Sequence, residues 1–110
     1  TGHSALCCKD NETYNSGAPG IGTEAAKWLA GEKVVMVGSD TWCVEAVPGE
    51  KEDYAFKVHQ VLIVQNGIYL IENLNLEELA NDKAYEFAFI FSPLPFKGAT
   101  GSPGNPIAVK

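Results

Sequence analysis

A chain of 110 residues, 45% hydrophobic and 20% charged, has the composition of a globular protein with room for one domain and a real core. Its formal charge is -6 and it contains no arginine, so it lacks the cationic surface that grips phosphate and reads guanine; a nucleic-acid partner is not expected. Apolar runs such as those at 61–64 and 68–71 fall far short of the roughly 20 residues that span a bilayer, which argues against a membrane partner.

In chain order, residues 7–20 are rich in Asn, Ser, Gly and Pro and predict an exposed loop. Thr23 then caps a predicted helix running to Ala30 and stopping at Gly31, with Ala25, Trp28 and Leu29 on its apolar side. The run Val-Val-Met-Val at 34–37 predicts a strand buried on both faces, with Gly38, Ser39 and Asp40 at its C-terminal end. Residues 44–53, with Pro48, Gly49 and four acidic side chains, predict a polar excursion from the domain surface. A helix from about 54 to 66 follows, and Gly67 suits a left-handed stop. A second buried strand at 68–72, a short helix at 76–81, a strand at 87–91, a Gly/Pro loop at 93–106 and a last strand at 107–109 complete a mixed α/β domain with flanking helices, read as one unit over 1–110.

The three cysteines, two adjacent as Cys7-Cys8, show neither a metal-binding C-x-x-C spacing nor an even disulfide framework, and Cys43 has no triad signal beside it. A reduced, cytoplasmic setting is the simpler expectation, and no apolar leader opens the segment.

His59 and Glu72 carry the main argument. A helix from 59 to 66 advances about 10 Å and a strand from 68 to 72 about 13 Å. If the strand returns beside the helix, the two side chains finish at similar heights. Imidazole and carboxylate are good ligands for zinc or manganese, and a carboxylate among Leu70, Ile71 and Leu74 needs a cation or hydrogen-bond donors to stay charged. On the residues alone, a core histidine and a solvated strand-end glutamate are the simpler explanation of the pair. Asp40 is a candidate to hydrogen-bond behind a ligand or to serve a structural cap, the latter favoured. His3 is either a pocket-lining or a solvent-exposed histidine.

Several short matches fall in one order: Thr1-Gly2-His3, Pro19-Gly-Ile21 with Glu24-Ala-Ala-Lys-Trp-Leu29, Val37-Gly-Ser-Asp-Thr41, Glu72-Asn-Leu74, Leu76-x-x-Leu79, Pro93-Leu94 and Gly98-Ala-Thr-Gly-Ser-Pro103. Together they resemble the C-terminal half of the metal-dependent cyclase-like hydrolases, the family of bacterial kynurenine formamidase and isatin hydrolase. The resemblance implies a swivelling β/α/β-like fold and a divalent ion, zinc or manganese, with His59 and Glu72 among its ligands. It further implies hydrolysis of an amide-like C–N bond in a small molecule, with Gly101 and Ser102 as candidates near the substrate. The family's H-x-G-T-H-x-D-x-P-x-H signature is absent from these residues, as is the arginine that often follows the Ser-Pro of the glycine loop. The remaining ligands and the general base are therefore expected from an N-terminal half or a complementary chain. The alternative is a non-catalytic assembly or binding module. Strands apolar on both faces with few helices to cover them also predict a homo-oligomer or docking of the other half.

Overall fold

The computed structural model describes residues 1–51 and 55–110. Its architecture is mixed α/β, as the sequence predicts, and the strands of the described residues pair in two two-stranded sheets. Contacts cluster into two compact units, Thr1–Leu76 and Glu77–Lys110.

In the first unit a 3-10 turn forms at His3–Leu6, and the stretch 7–20 expected to be loop holds helix α1 at Asn11–Ser16. Asp10 starts α1 by accepting the Thr13 amide (3.1 Å) and hydroxyl (2.7 Å), a local cap that a count of loop-forming residues overlooks. Helix α2 spans Thr23–Gly31. Thr23 is not its cap: Gly22 holds that position, and the Thr23 amide donates to the Glu50 carboxylate at 2.9 Å. A charged acceptor from a distant segment replaces the local one. The buried side of α2 is also rotated from the expected one, because Ala26, Leu29 and Ala30 follow the three- and four-residue helical spacing inward while Ala25 and Trp28 face outward.

Strand β1, Met36–Gly38, pairs in parallel with β2, Tyr69–Ile71, in the register Met36↔Tyr69, Val37↔Leu70 and Gly38↔Ile71. Parallel neighbours need a crossover, and a helix supplies it. The expected helix from about 54 begins at a position outside the described residues; within them it is one α-turn, α3 at Lys57–His59, continuing as a π-helix at Gln60–Gln65. Gly67 closes it at φ 65°, and the Gly67 and Ile68 amides donate back to Ile63 and Leu62. Ala26, Val58, Val61, Leu62 and Ile68 form the core, with Ile21, Leu29, Ala30, Val34, Val37 and Leu70 packed on it. The strands are not buried on both faces, since Val35 and Tyr69 are exposed. A single helical layer covers one side of a pair only two strands wide, so alternate side chains meet solvent.

The second unit contains helix α4 at Glu77–Asn81 and an antiparallel pair, β3 at Ala88–Ile90 and β4 at Ile107–Val109. All three residues of β3 are exposed. Phe89 and Phe91 stack with centroids 6.4 Å apart. Among the described residues no helix is long and apolar enough to cross a membrane.

Candidate metal centre

The C-terminal ends of β1 and β2 open onto the same place. Beyond β1 the chain is fastened to the end of β2 by Ser39 N–H to Ile71 O (3.1 Å), Leu74 N–H to Ser39 O (3.0 Å) and Asn73 N–H to Thr41 O (2.9 Å). The β1 and β2 backbones run close here, and a Cβ on Gly38 would sit 2.7 Å from Leu74 Cδ1 and 2.9 Å from Ile71 Cγ2. Glu72 follows β2 directly, in the half-buried position that the strand end predicts.

Residues 44–47 are pinned rather than displaced from the surface. Ala18 and Val47 exchange two backbone hydrogen bonds of 2.9 Å, the Ile21 amide donates to Val44 O (2.9 Å), and the Ala46 amide donates to Ile21 O (3.0 Å). A Cβ on Gly20 would collide with the Val44 and Glu45 backbone, so only glycine allows this approach. Cys43, Val44 and Glu45 are consequently buried, at 2%, 1% and 5% exposure. The excursion expected over 44–53 begins only at Pro48, and residues 52 and 53 lie outside the described part.

His59 meets this segment from α3. Its backbone amide (3.3 Å) and Nδ1 (3.0 Å) both approach Glu45 Oε2, and its ring stands edge-on to Phe56 at 5.4 Å. In the tautomer that donates Nδ1–H to Glu45, the Nε2 lone pair faces Glu72 Oε1 at 3.5 Å. Glu72 Oε1 also accepts the Val44 amide at 2.9 Å. The sequence-predicted pair is thus brought together, and Cys43 joins it: ligand atoms of Cys43, His59 and Glu72 all lie within 4.8 Å of one another. Burial raises the Cys43 thiol pKa; a hydrogen bond from the Glu45 amide opposes this, while the charges of Glu72 and Glu45 add to it.

Thiol, imidazole and carboxylate are the three donor types that bind zinc, at about 2.0–2.3 Å, which puts neighbouring ligands in a tetrahedron about 3.3–3.8 Å apart. The His59–Glu72 separation already matches that edge, and the widest separation in the cluster needs a contraction of about 1 Å. In that tautomer a lone pair and a carboxylate oxygen face each other, an arrangement that a cation satisfies. The residues fit a divalent ion.

The other candidates are placed elsewhere. Asp40, 3% exposed, accepts the Thr1 hydroxyl (2.6 Å), the Thr1 amino group (3.0 Å) and the Gly2 amide (2.7 Å). Burial raises its pKa, but these donors outweigh it and leave the carboxyl at about 2. His3 stacks on Tyr14, with ring centroids 5.0 Å apart, and donates from Nε2 to the Tyr14 carbonyl at 3.1 Å; the donor cluster forms without it. Gly101 and Ser102 belong to the second unit. The Ser102 hydroxyl accepts the Leu94 amide (3.0 Å) and donates to Pro103 O (2.9 Å), holding its own loop, and a Cβ on Gly101 would meet open space. Sequence reasoning missed Cys43 and Glu45.

Residues 1–46 match the family model described as "Putative cyclase". The matched span holds Thr1-Gly2-His3, Pro19-Gly-Ile21, Val37 to Thr41, Cys43 and Glu45, and supports similarity to the cyclase family there; it stops before His59 and Glu72. No curated protein and no solved structure matches the chain.

Proposed function

We propose that this chain carries part of the active centre of a metal-dependent hydrolase acting on an amide-like C–N bond, of the N-formyl arylamine or cyclic-amide type. The observation that carries the reading is the meeting of Cys43, His59 and Glu72 within 4.8 Å at the ends of two parallel strands, where α/β proteins place their ligands. Similarity of residues 1–46 to a cyclase family supports the reaction class. A divalent ion in such a site supplies Lewis-acid polarisation of a carbonyl and activation of water at neutral pH.

The chain's own residues have narrower tasks. His59 and Glu72 bind the ion, and Glu45 fixes the tautomer and ring plane of His59 by accepting its Nδ1 proton. The Val44 amide holds the Glu72 carboxylate in place, while buried Val44, Val58 and Leu62 exclude water from behind the donors. Three donors would leave a four-coordinate ion one ligand short of a closed shell, and among the described residues no group is placed as a general base. An N-terminal half or a second chain would supply those parts.

The test combines calorimetric zinc titration with hydrolysis of an N-formyl arylamine, with and without a fragment bearing the H-x-G-T-H-x-D signature. One ion per chain, lost in His59→Ala and Glu72→Ala, with turnover appearing on addition of the fragment, is the expected result. Absence of both metal uptake and turnover overturns it in favour of a binding module.

A further inference from the structure

The donors at the ends of β1 and β2 differ in softness, and that difference determines which ion they hold. Carboxylate and water suit manganese and magnesium, imidazole suits several first-row ions, and thiolate favours zinc, cadmium and cobalt(II) over manganese. Cys43 is buried at 2%, whereas Cys7 and Cys8 are exposed and adjacent, with sulfurs 3.6 Å apart. Four neighbours locate the backbone around Cys43: Thr41 Oγ1 donates to its carbonyl at 2.5 Å, the next amide is held by Glu72 Oε1, and the following segment is bonded to Ala18 and Ile21. The sulfur is therefore presented to His59 and Glu72 by fixed backbone.

We infer that Cys43 is a ligand whose thiolate makes this centre select a zinc-class ion over manganese and magnesium. The inference rests on the metal-centre reading above and adds the identity of the ion. Ligation exchanges the S–H bond for a sulfur–metal bond, and the proton leaves to the buffer. The resulting sulfur, nitrogen and oxygen set leaves one tetrahedral position for water, substrate or a further ligand.

Cobalt(II) reports the difference optically. In the full chain carrying Cys7→Ser and Cys8→Ser, Cys43 is the sole thiol, and the two exposed substitutions leave the core untouched. Titration with cobalt(II) is expected to raise a thiolate-to-cobalt charge-transfer band that saturates at one equivalent. Adding Cys43→Ser abolishes that band while ligand-field bands from the remaining donors persist. The same change lowers zinc affinity at least about tenfold, with manganese affinity, read by electron paramagnetic resonance, changing less than about threefold. Should Cys43→Ser unfold the chain by circular dichroism, the parent with its single thiol still decides the matter: zinc, and not manganese, must protect that thiol from iodoacetamide, as read by intact mass.

Cobalt bound with ligand-field bands but no charge-transfer band, or equal loss of zinc and manganese affinity in Cys43→Ser, overturns the selectivity and leaves the metal centre standing. Metal uptake indifferent to His59→Ala and Glu72→Ala brings down both.

Discussion

The two sheets of this chain are alike in composition and opposite in burial. Strand β2 reads Tyr-Leu-Ile and β3 reads Ala-Phe-Ile, yet Leu70 packs on a core while Phe89 and Ile90 are 44% and 55% exposed. The difference is what lies over them. β1 and β2 have α2, α3 and the π-helix contributing Ala26, Val58, Val61 and Leu62, whereas β3 and β4 pair with each other and are exposed along most of their length. An apolar strand records a demand for cover, and only the tertiary arrangement determines whether the demand is met.

The largest effect that sharpens this contrast is expected from Leu62→Ala. Leu62 is fully buried, so its truncation should cost about 2–5 kcal/mol in urea unfolding of the first unit, the range for cavities in well-packed cores. A cost below about 1 kcal/mol would mean that the core yields easily and that the two sheets differ less than their burial indicates.

Acid should discriminate next. The Asp40 carboxyl is held at about 2 against an ordinary 3.8, so the unfolded chain binds its proton at higher pH than the folded one. The stabilisation is complete above the unfolded value and is lost as pH falls from 3.8 towards 2, amounting to about 2 kcal/mol. Urea midpoints for the parent should fall across that window, and Asp40→Asn should flatten the Asp40 component. An unchanged slope in Asp40→Asn would show that the three donors to Asp40 contribute nothing to stability.

Glu45→Leu removes the acceptor of two His59 donors and is expected to cost about 1–3 kcal/mol, with metal affinity falling about 10–100-fold. Glu45→Gln keeps an acceptor oxygen and should recover most of the stability but less of the affinity. Equal behaviour of the two variants in both measurements would remove the orienting role of Glu45.

The smallest effect belongs to the exposed pair. Ile90→Thr should change stability by less than about 1 kcal/mol, because so much of the side chain is in water already. It should reduce any concentration-dependent association seen by sedimentation. A larger loss of stability at dilute, monomeric concentration would show that β3 is covered in solution.

Much of the element order was legible in the sequence, because apolar runs, Gly67 and the glycine loop are local signals. The approach of His59 and Glu72 was legible too, since both sit on one short helix-to-strand connection whose rises nearly cancel. Cys43 and Glu45 were not. Their burial depends on 44–47 bonding to 18–21, a pairing across more than twenty residues made possible by the bare backbone of Gly20, and Pro48 and Gly49 just beyond suggested a surface excursion instead. The cap of α2 escaped for the same reason, because its acceptor, Glu50, is remote in sequence.

The π-helix at Gln60–Gln65 bears on how this site tolerates changes in chain length. A π-turn accommodates one residue more than an α-turn, so the segment carries slack that an α-helix of the same span would not. Deleting one residue there should let the remainder close into regular α-geometry with the phase of the flanking segments nearly unchanged, because the wide turn and the α-turn that replaces it each complete one revolution. His59 lies just before the segment and Glu72 after it, so a single deletion would preserve both the helix and the meeting of the two side chains. The wide turn acts as slack that can be taken up without turning the imidazole away.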